Sequence, residues 1–514
     1  MQDGIPLNAR PALAGGERDS GDELSLFSTG SSLFSLEEPE GSPAGGAGEL
    51  ERRLGLWDGM AIVAGAVIGS GVFSTPALIL GAVGSVGMSM AVWVVGAAVS
   101  MCGCVAYVEL GTMLQRSGGE KEYLATAFPR PRDLMPFLFC LSFIAICSPS
   151  GLAADSGVTG TYFLYAGTGR AADHPEWAQR TIGVAVALLC VLLHGFFVRA
   201  AIRIQSALTV VKVLLLLLIV AVGAIRGISG SGGKHSSGFR DAWAGTSTHP
   251  SAYVSALFKV FFAYSGYTSL NYSIDELRDP ARNLPRAALG GLLVTAVLYV
   301  LSNAAYFLVL DPDTVREAGT AVAGVFFNEA LGRVWGQRIV PVLIGLATLG
   351  NVMCGTFAAS RVIFEAAREG YLPLGAALGR ISRFQSPLAA VAASGALTCL
   401  FVVAPPPGEA YAFLIDIGGY PTWLFCGLAV VGLLVMRRTH AHLPRPFRAW
   451  HAANAVTIGC AVFMCVVPFV RPSDDAPTTA IPHWAAPLAA LAFIAASCGL
   501  WALRRWLAPG AISK

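Results

Sequence analysis

Ala64-Gly65-Ala66-Val67-Ile68-Gly69-Ser70-Gly71-Val72-Phe73 lies inside an apolar run from about Leu54 to Leu80. A run of that length crosses a bilayer, which takes roughly 20 apolar residues. Its centre holds Gly69, Ser70 and Gly71, and Pro76 follows about one turn later. Glycine frees the backbone and proline removes an N–H, so the sequence predicts a helix broken at mid-membrane. Broken backbone at that depth is tolerated only where protein buries it or where it lines a water-filled cavity. The second half-helix then starts inside the membrane, with N–H groups lacking intrahelical acceptors and the positive end of a dipole. Such an end suits an anion, and a carboxylate is the expected ligand.

The surrounding chain fits this reading. Of 514 residues, 54% are hydrophobic and 13% charged, with a mean hydropathy of +0.61. That balance excludes a soluble protein and implies one polytopic all-α bundle. Residues 1–53, rich in Gly, Ser, Asp and Glu, read as a disordered cytoplasmic tail. The first apolar stretch starts only near Leu54 and is too long for a cleavable signal. Twelve transmembrane helices are expected near 56–80, 87–114, 134–165, 179–197, 203–225, 251–275, 287–310, 337–364, 387–404, 411–435, 452–470 and 484–506. The segment Ala321–Leu331 is shorter and amphipathic and is expected to lie along the outer surface. With the N-terminus inside, the cytoplasmic connections collect most of the arginines, including Arg130, Arg132, Arg437, Arg438, Arg504 and Arg505. The positive-inside rule then places both termini in the cytoplasm.

A second interruption falls in the sixth span, at Phe262-Ala263-Tyr264-Ser265-Gly266-Tyr267-Thr268. Breaks in spans one and six, five helices apart, are what an inverted repeat of five plus five helices produces. The repeats would be residues 54–226 and 250–436, with residues 450–507 supplying two further helices. Tyr264 and Tyr267 flank the second break and are expected as lids over an amphipathic solute. The chain has five lysines, and the two set well inside spans are Lys212 and Lys259. A desolvated lysine can release its proton, which arginine in practice does not, so both are coupling candidates. Asp155, Glu109 and Asp416 are the carboxylates available to pair with them, and Asp155 is itself a third coupling candidate.

Other signals carry no chemistry. The eleven cysteines fall inside spans and read as small packing residues, and no metal or cofactor is expected. His440 and His442 form only a weak metal pattern in a basic loop, and no basic aromatic surface suits nucleic acid. The sequon Asn271-Tyr272-Ser273 lies within a span, so it should stay unmodified.

Gly65 to Phe73 resembles the first-helix signature of the amino acid–polyamine–organocation superfamily. Tyr107-Val108-Glu109-Leu110-Gly111-Thr112 and Arg116-Ser117-Gly118-Gly119 resemble the end of its second helix and the adjoining loop. Phe262 to Tyr267, Asp279-Pro280 and Asn283-Leu284-Pro285-Arg286 resemble helix six of the L-type amino acid transporters. Glu120-Lys121-Glu122-Tyr123 and Phe258-Lys259 are most similar to fungal methionine permeases. The resemblance implies a LeuT-like fold and a zwitterionic amino acid bound between helices one and six. It places the substrate carboxylate at Ile68, Gly69, Ser70 and Gly71, and the ammonium and gate at Phe262, Ala263, Tyr264, Ser265, Gly266 and Tyr267. The family's fifth-helix lysine corresponds to Lys212. Ser265 stands where the family has glycine and Tyr267 where it has tryptophan, which bears on pocket shape.

The expected function is a plasma-membrane, alternating-access permease for methionine or other large neutral amino acids. It is expected to be sodium-independent, working by proton coupling or exchange. A polyamine or cationic amino-acid carrier is the first alternative, but spans one and six offer no carboxylate near their breaks. A non-transporting amino-acid receptor is the second. The expected partners are the amino-acid substrate and the lipid bilayer. Animal relatives bond a single-span glycoprotein through a cysteine between helices three and four. Residues 166–178 contain none, so no disulfide-linked glycoprotein partner is expected.

Overall fold

The computed structural model describes residues 54–169, 175–228, 241–405, 410–470 and 484–507, with isolated positions 239 and 482. The expected tail at 1–53 lies outside them, as do Lys234 and Lys514. Among the described residues the fold is all helical, apart from one isolated parallel bridge between Leu54 and Leu277.

The first span is two helices, α1 (Leu56–Val67) and α2 (Gly71–Val83), bent by 45° across the break. Next come α3 (Val86–Leu114), a short connecting helix α4 (Glu120–Ala127), and α5 (Leu134–Ser142) running into α6 (Ser148–Thr168). A π-helical turn at Phe143–Cys147 joins the last two. Pro149 explains it, because its missing N–H opens the helical ladder one turn back. Helices α7 (Glu176–Phe196) and α8 (Val198–Ile228) complete the first block.

The second block is α9 (Pro250–Ala263), α10 (Pro280–Val309), α11 (Pro312–Ala318), α12 (Val322–Val334), α13 (Val340–Arg368), α14 (Gly375–Leu378), α15 (Leu388–Val403) and α16 (Ala410–Thr439). Helices α17 (His451–Val466) and α18 (Ala485–Leu507) sit at the periphery and expose Val462, Phe463, Val466, Leu488 and Leu500. Such faces suit lipid tails. The amphipathic α12 buries Val322, Ala323, Phe326, Phe327 and Ala330 and exposes Leu331 and Val334.

Among the described residues, nine stretches of helix are each long and apolar enough to cross a membrane, and the bent pair α1–α2 makes a tenth. Helices α9 and α15 are apolar but shorter, so twelve spans are reached only by counting both. The sixth span differs from expectation. Helix stops at Ala263, and the chain continues through 3-10 turns at Ser269–Tyr272 and Ile274–Glu276. Thr268, Ser269, Asn271, Ser273 and Asp275 crowd this stretch. Such side chains compete with helical backbone bonding. Two of them are used elsewhere: Tyr123 donates to Asn271 Oδ1 at 2.9 Å, and Ser117 N–H donates to Asp275 Oδ2 at 3.1 Å. Leu54 N–H to Glu276 O and Arg278 N–H to Leu54 O, both 2.9 Å, tie the chain ahead of α1 to the end of this stretch.

Glu109, fully buried on α3, does not meet a lysine. Its carboxylate accepts from Arg437 Nε at 2.9 Å, from a second Arg437 nitrogen, and from Ala449 N–H at 2.7 Å. Arg445 Nε stands 3.7 Å away. This cluster holds the end of α16 and the α16–α17 connection against α3. Removing one member of a buried pair leaves unmatched charge, at a cost of about 3–5 kcal/mol. Glu109→Ala should therefore lower the melting midpoint of the purified protein by several degrees, with Glu109→Gln intermediate. An unchanged midpoint for Glu109→Ala would mean the cluster does not anchor the connection.

Candidate functional site

The two breaks are packed backbone against backbone. Ile68 leaves the helix with an extended conformation, and α2 restarts at Gly71. A Cβ on Gly71 would stand 2.6 Å from the Ala263 Cα, so no larger residue fits between the breaks. Gly266 has φ +102°, a region that favours glycine, and a Cβ there would stand 2.6 Å from the Ala66 carbonyl oxygen. Hydroxyl groups from neighbouring helices and from α2 itself donate to carbonyls around the first break. Tyr299 donates to Val67 O at 2.8 Å, Tyr162 to Phe73 O at 2.6 Å, and Ser74 to Ser70 O at 2.8 Å.

A chain of polar side chains ends at this break. Lys212 on α8, 1% exposed, donates to Asn351 Oδ1 on α13 at 3.1 Å and to Gly65 O on α1 at 3.4 Å. The Asn351 amide donates to Asp155 Oδ2 on α6 at 2.6 Å. The other oxygen of Asp155 accepts the Ser70 hydroxyl. Four elements thus meet through one buried network, and Lys212 reaches Asp155 through Asn351. Lys259 stands apart: it donates to Ser255 O at 3.2 Å and Ser255 Oγ at 2.6 Å on its own helix, within electrostatic reach of Asp416.

A cavity of about 2220 Å³ reaches the break from one end of the bundle. Its mouth carries Lys121, Arg199, Arg203, Arg361 and Arg383, and its depth carries Gly69, Ser70, Gly71, Asp155, Phe262, Ser265 and Gly266. It is larger than a usual small-molecule pocket because it includes the whole vestibule. Phe258, Phe262, Leu414 and Ile415 give one wall an apolar surface. Beside the break, the Ser74 hydroxyl lies 2.5 Å from that of Tyr411, and the Phe262 ring stands edge-on to Tyr411.

Several residues expected at the site lie off the cavity. Ile68 is buried behind the break, and Ala263 is spent on the contact with Gly71. Tyr264 is fully buried, packed against Trp93 and Tyr299, because the turn after α9 aims it into the bundle. Tyr267 packs edge-on to Tyr107 instead of covering the cavity. Neither Lys212 nor Lys259 lines it. Sequence reasoning passed over Asn351, although an amide midway along an apolar helix is itself a signal. Among the described residues no group of three metal-ligating side chains exists.

Comparison with known proteins places these features. The model of the amino acid permease family matches residues 54–494. The high-affinity methionine permease of Saccharomyces cerevisiae is 29% identical over 442 residues, covering 84% of this chain and 76% of that protein. The b(0,+)-type amino acid transporter 1 of Oryctolagus cuniculus is 31% identical over 405 residues, covering 78% and 79% respectively. The Asc-type amino acid transporter 1 of Mus musculus is 32% identical over 424 residues, covering 82% and 77%. The crystal structure of a mutant manganese transporter from Eremococcus coleocola aligns with a TM-score of 0.52 at 15% identity, covering 87% of this chain and 94% of that one. That likeness establishes a LeuT-like fold and nothing about the cargo.

The packing of the breaks is testable apart from any ligand. Gly266→Ala adds strain of about 1–3 kcal/mol through its positive φ alone, before any contact with Ala66. Its melting midpoint should fall below that of wild type by several degrees, while Gly167→Ala, with open space around it, should not move. Equal midpoints for both variants would contradict the close approach of the breaks.

Proposed function

This chain belongs to the amino acid permease family, and on that premise we propose that it carries methionine and other large neutral amino acids across the plasma membrane by alternating access. It is a permease, not an enzyme, and its substrate class at the coarser level is amino acids. The observation that carries the finer reading is the wall opposite Gly69, Ser70 and Gly71. The N-terminal turn of α2 offers N–H groups and the positive dipole end to a carboxylate. Phe258, Phe262, Leu414 and Ile415 face it across a space suited to an apolar side chain. Carbonyls of the turn after α9 would receive the ammonium.

The arginine-rich mouth belongs at the cytoplasmic face under the positive-inside rule, which makes this an inward-open conformation with both termini inside. Sodium independence is supported by the position of Lys212. Its ammonium bridges α1 and α13, the pair of helices that would otherwise share a cation, while the Ser360 hydroxyl is turned back to Phe357 O at 2.7 Å. A cationic or polyamine substrate fits less well. The carboxylate at the break is Asp155, and both its oxygens already accept hydrogen bonds.

Purified protein in liposomes should take up labelled methionine, with competition by leucine and little by lysine or spermidine. An imposed sodium gradient should leave the rate unchanged. Methionine methyl ester lacks the anionic carboxylate and should compete at least about tenfold more weakly, equivalent to ~1.4 kcal/mol. Equal competition by ester and free acid would remove the carboxylate site. Binding without net transport would favour a receptor.

A further inference from the structure

Within that reading, we propose that Asp155 is the proton-binding residue of the cycle, and that its protonation hands the Ser70 hydroxyl over to the substrate carboxylate. Ser70 donates its only hydroxyl hydrogen to Asp155 Oδ1, and Asn351 donates to Oδ2. Accepting on both oxygens is the bonding pattern of the ionised, acceptor-only carboxylate. Ser70 is therefore committed to Asp155 although it lines the cavity where the ligand carboxylate would sit. An anionic ligand arriving there would also face the Asp155 charge, since Asp155 lines the same cavity.

A proton resolves both conflicts. Taken from water on the far side of the membrane, it adds to Oδ1 and makes Asp155 a donor to Ser70 Oγ. The Ser70 O–H then turns toward the cavity and donates to the ligand carboxylate. When the ligand leaves into the inward vestibule, Asp155 loses the proton to that water and recaptures the Ser70 hydroxyl. One proton and one zwitterion move together, and no covalent bond of the ligand changes. The groups facing Asp155 from adjacent elements are Lys212 on α8, Tyr299 on α10 and Tyr411 on α16. Cys354 on α13 faces Lys212. Lys212 is the one cation among them, and through Asn351 it serves as fixed counter-charge when Asp155 is ionised. Of the expected coupling candidates, this selects Asp155 over Lys212, the lysine first expected to exchange the proton.

The test uses the wild-type full chain in weakly buffered detergent with a pH-indicator dye. Addition of L-methionine or L-leucine should cause uptake of up to about one proton per ligand bound, and affinity should fall with rising pH toward a limiting slope of about tenfold per pH unit. Difference infrared spectra should gain the C=O stretch of a protonated carboxyl on binding. In Asp155→Asn, which imitates the protonated acid, the pH slope of binding should vanish. Binding by wild type without proton uptake or without the carboxyl band would overturn the assignment, as would a tenfold slope retained in Asp155→Asn. Because the infrared readout uses wild type, it decides the matter even if Asp155→Asn does not fold. Failure of the wild type to bind or exchange either amino acid would instead overturn the permease reading on which this inference rests.

Discussion

Every feature of this protein answers to one constraint: backbone polar groups interrupted at membrane depth must find partners. The first span breaks at Gly69-Ser70-Gly71, and hydroxyls donate to carbonyls around it, two of them from other helices and one from within α2. Tyr299 on α10 serves Val67, Tyr162 on α6 serves Phe73, and Ser74 serves Ser70. The carbonyl side of the break is thereby spent on structure. The N–H side, at the start of α2, faces the cavity. In the proposed function, an anion site would arise because one side of the break is satisfied by protein and the other is presented to a ligand.

The same constraint explains where the charged residues lie. Lys212, Asn351, Asp155 and Ser70 form a single buried chain in which each polar group finds a partner on another helix. Breaking such a chain at any point leaves a charge in a medium that penalises it heavily. It therefore couples the position of α1 to that of α6, α8 and α13, the elements that would have to move relative to one another if access alternates. Glu109 with Arg437 and Arg445 uses the same device near the C-terminal end of α3, as an anchor and away from the cavity.

Much of this was legible in the sequence because it rests on local chemistry. Glycines and Pro76 within an apolar run mark the first break, Ser265-Gly266 marks the second, and apolar length marks the spans. What was not legible depends on direction. Tyr264 and Tyr267 stand beside a glycine in sequence, yet the turn rotates them into the bundle, and no periodicity rule applies inside a turn. The partner of Lys212 is an amide, whereas a search for partners among carboxylates looks first to Glu109, Asp155 and Asp416. The loss of α-helix after Ala263 was signalled by a run of Ser, Thr, Asn and Asp. Apolar length alone outweighed it in the reading of the sixth span.

The central claim is that the half-helix start at Gly71 holds the carboxylate of an amino acid. A cryo-EM map of the full chain with bound L-methionine tests it most directly. The account predicts ligand density against Gly69, Ser70 and Gly71, with the carboxylate within about 3.2 Å of backbone N–H groups at the start of α2 and the thioether toward Phe258 and Ile415. Density elsewhere in the vestibule, or a ligand with its carboxylate turned toward Arg203 or Arg361, would contradict it.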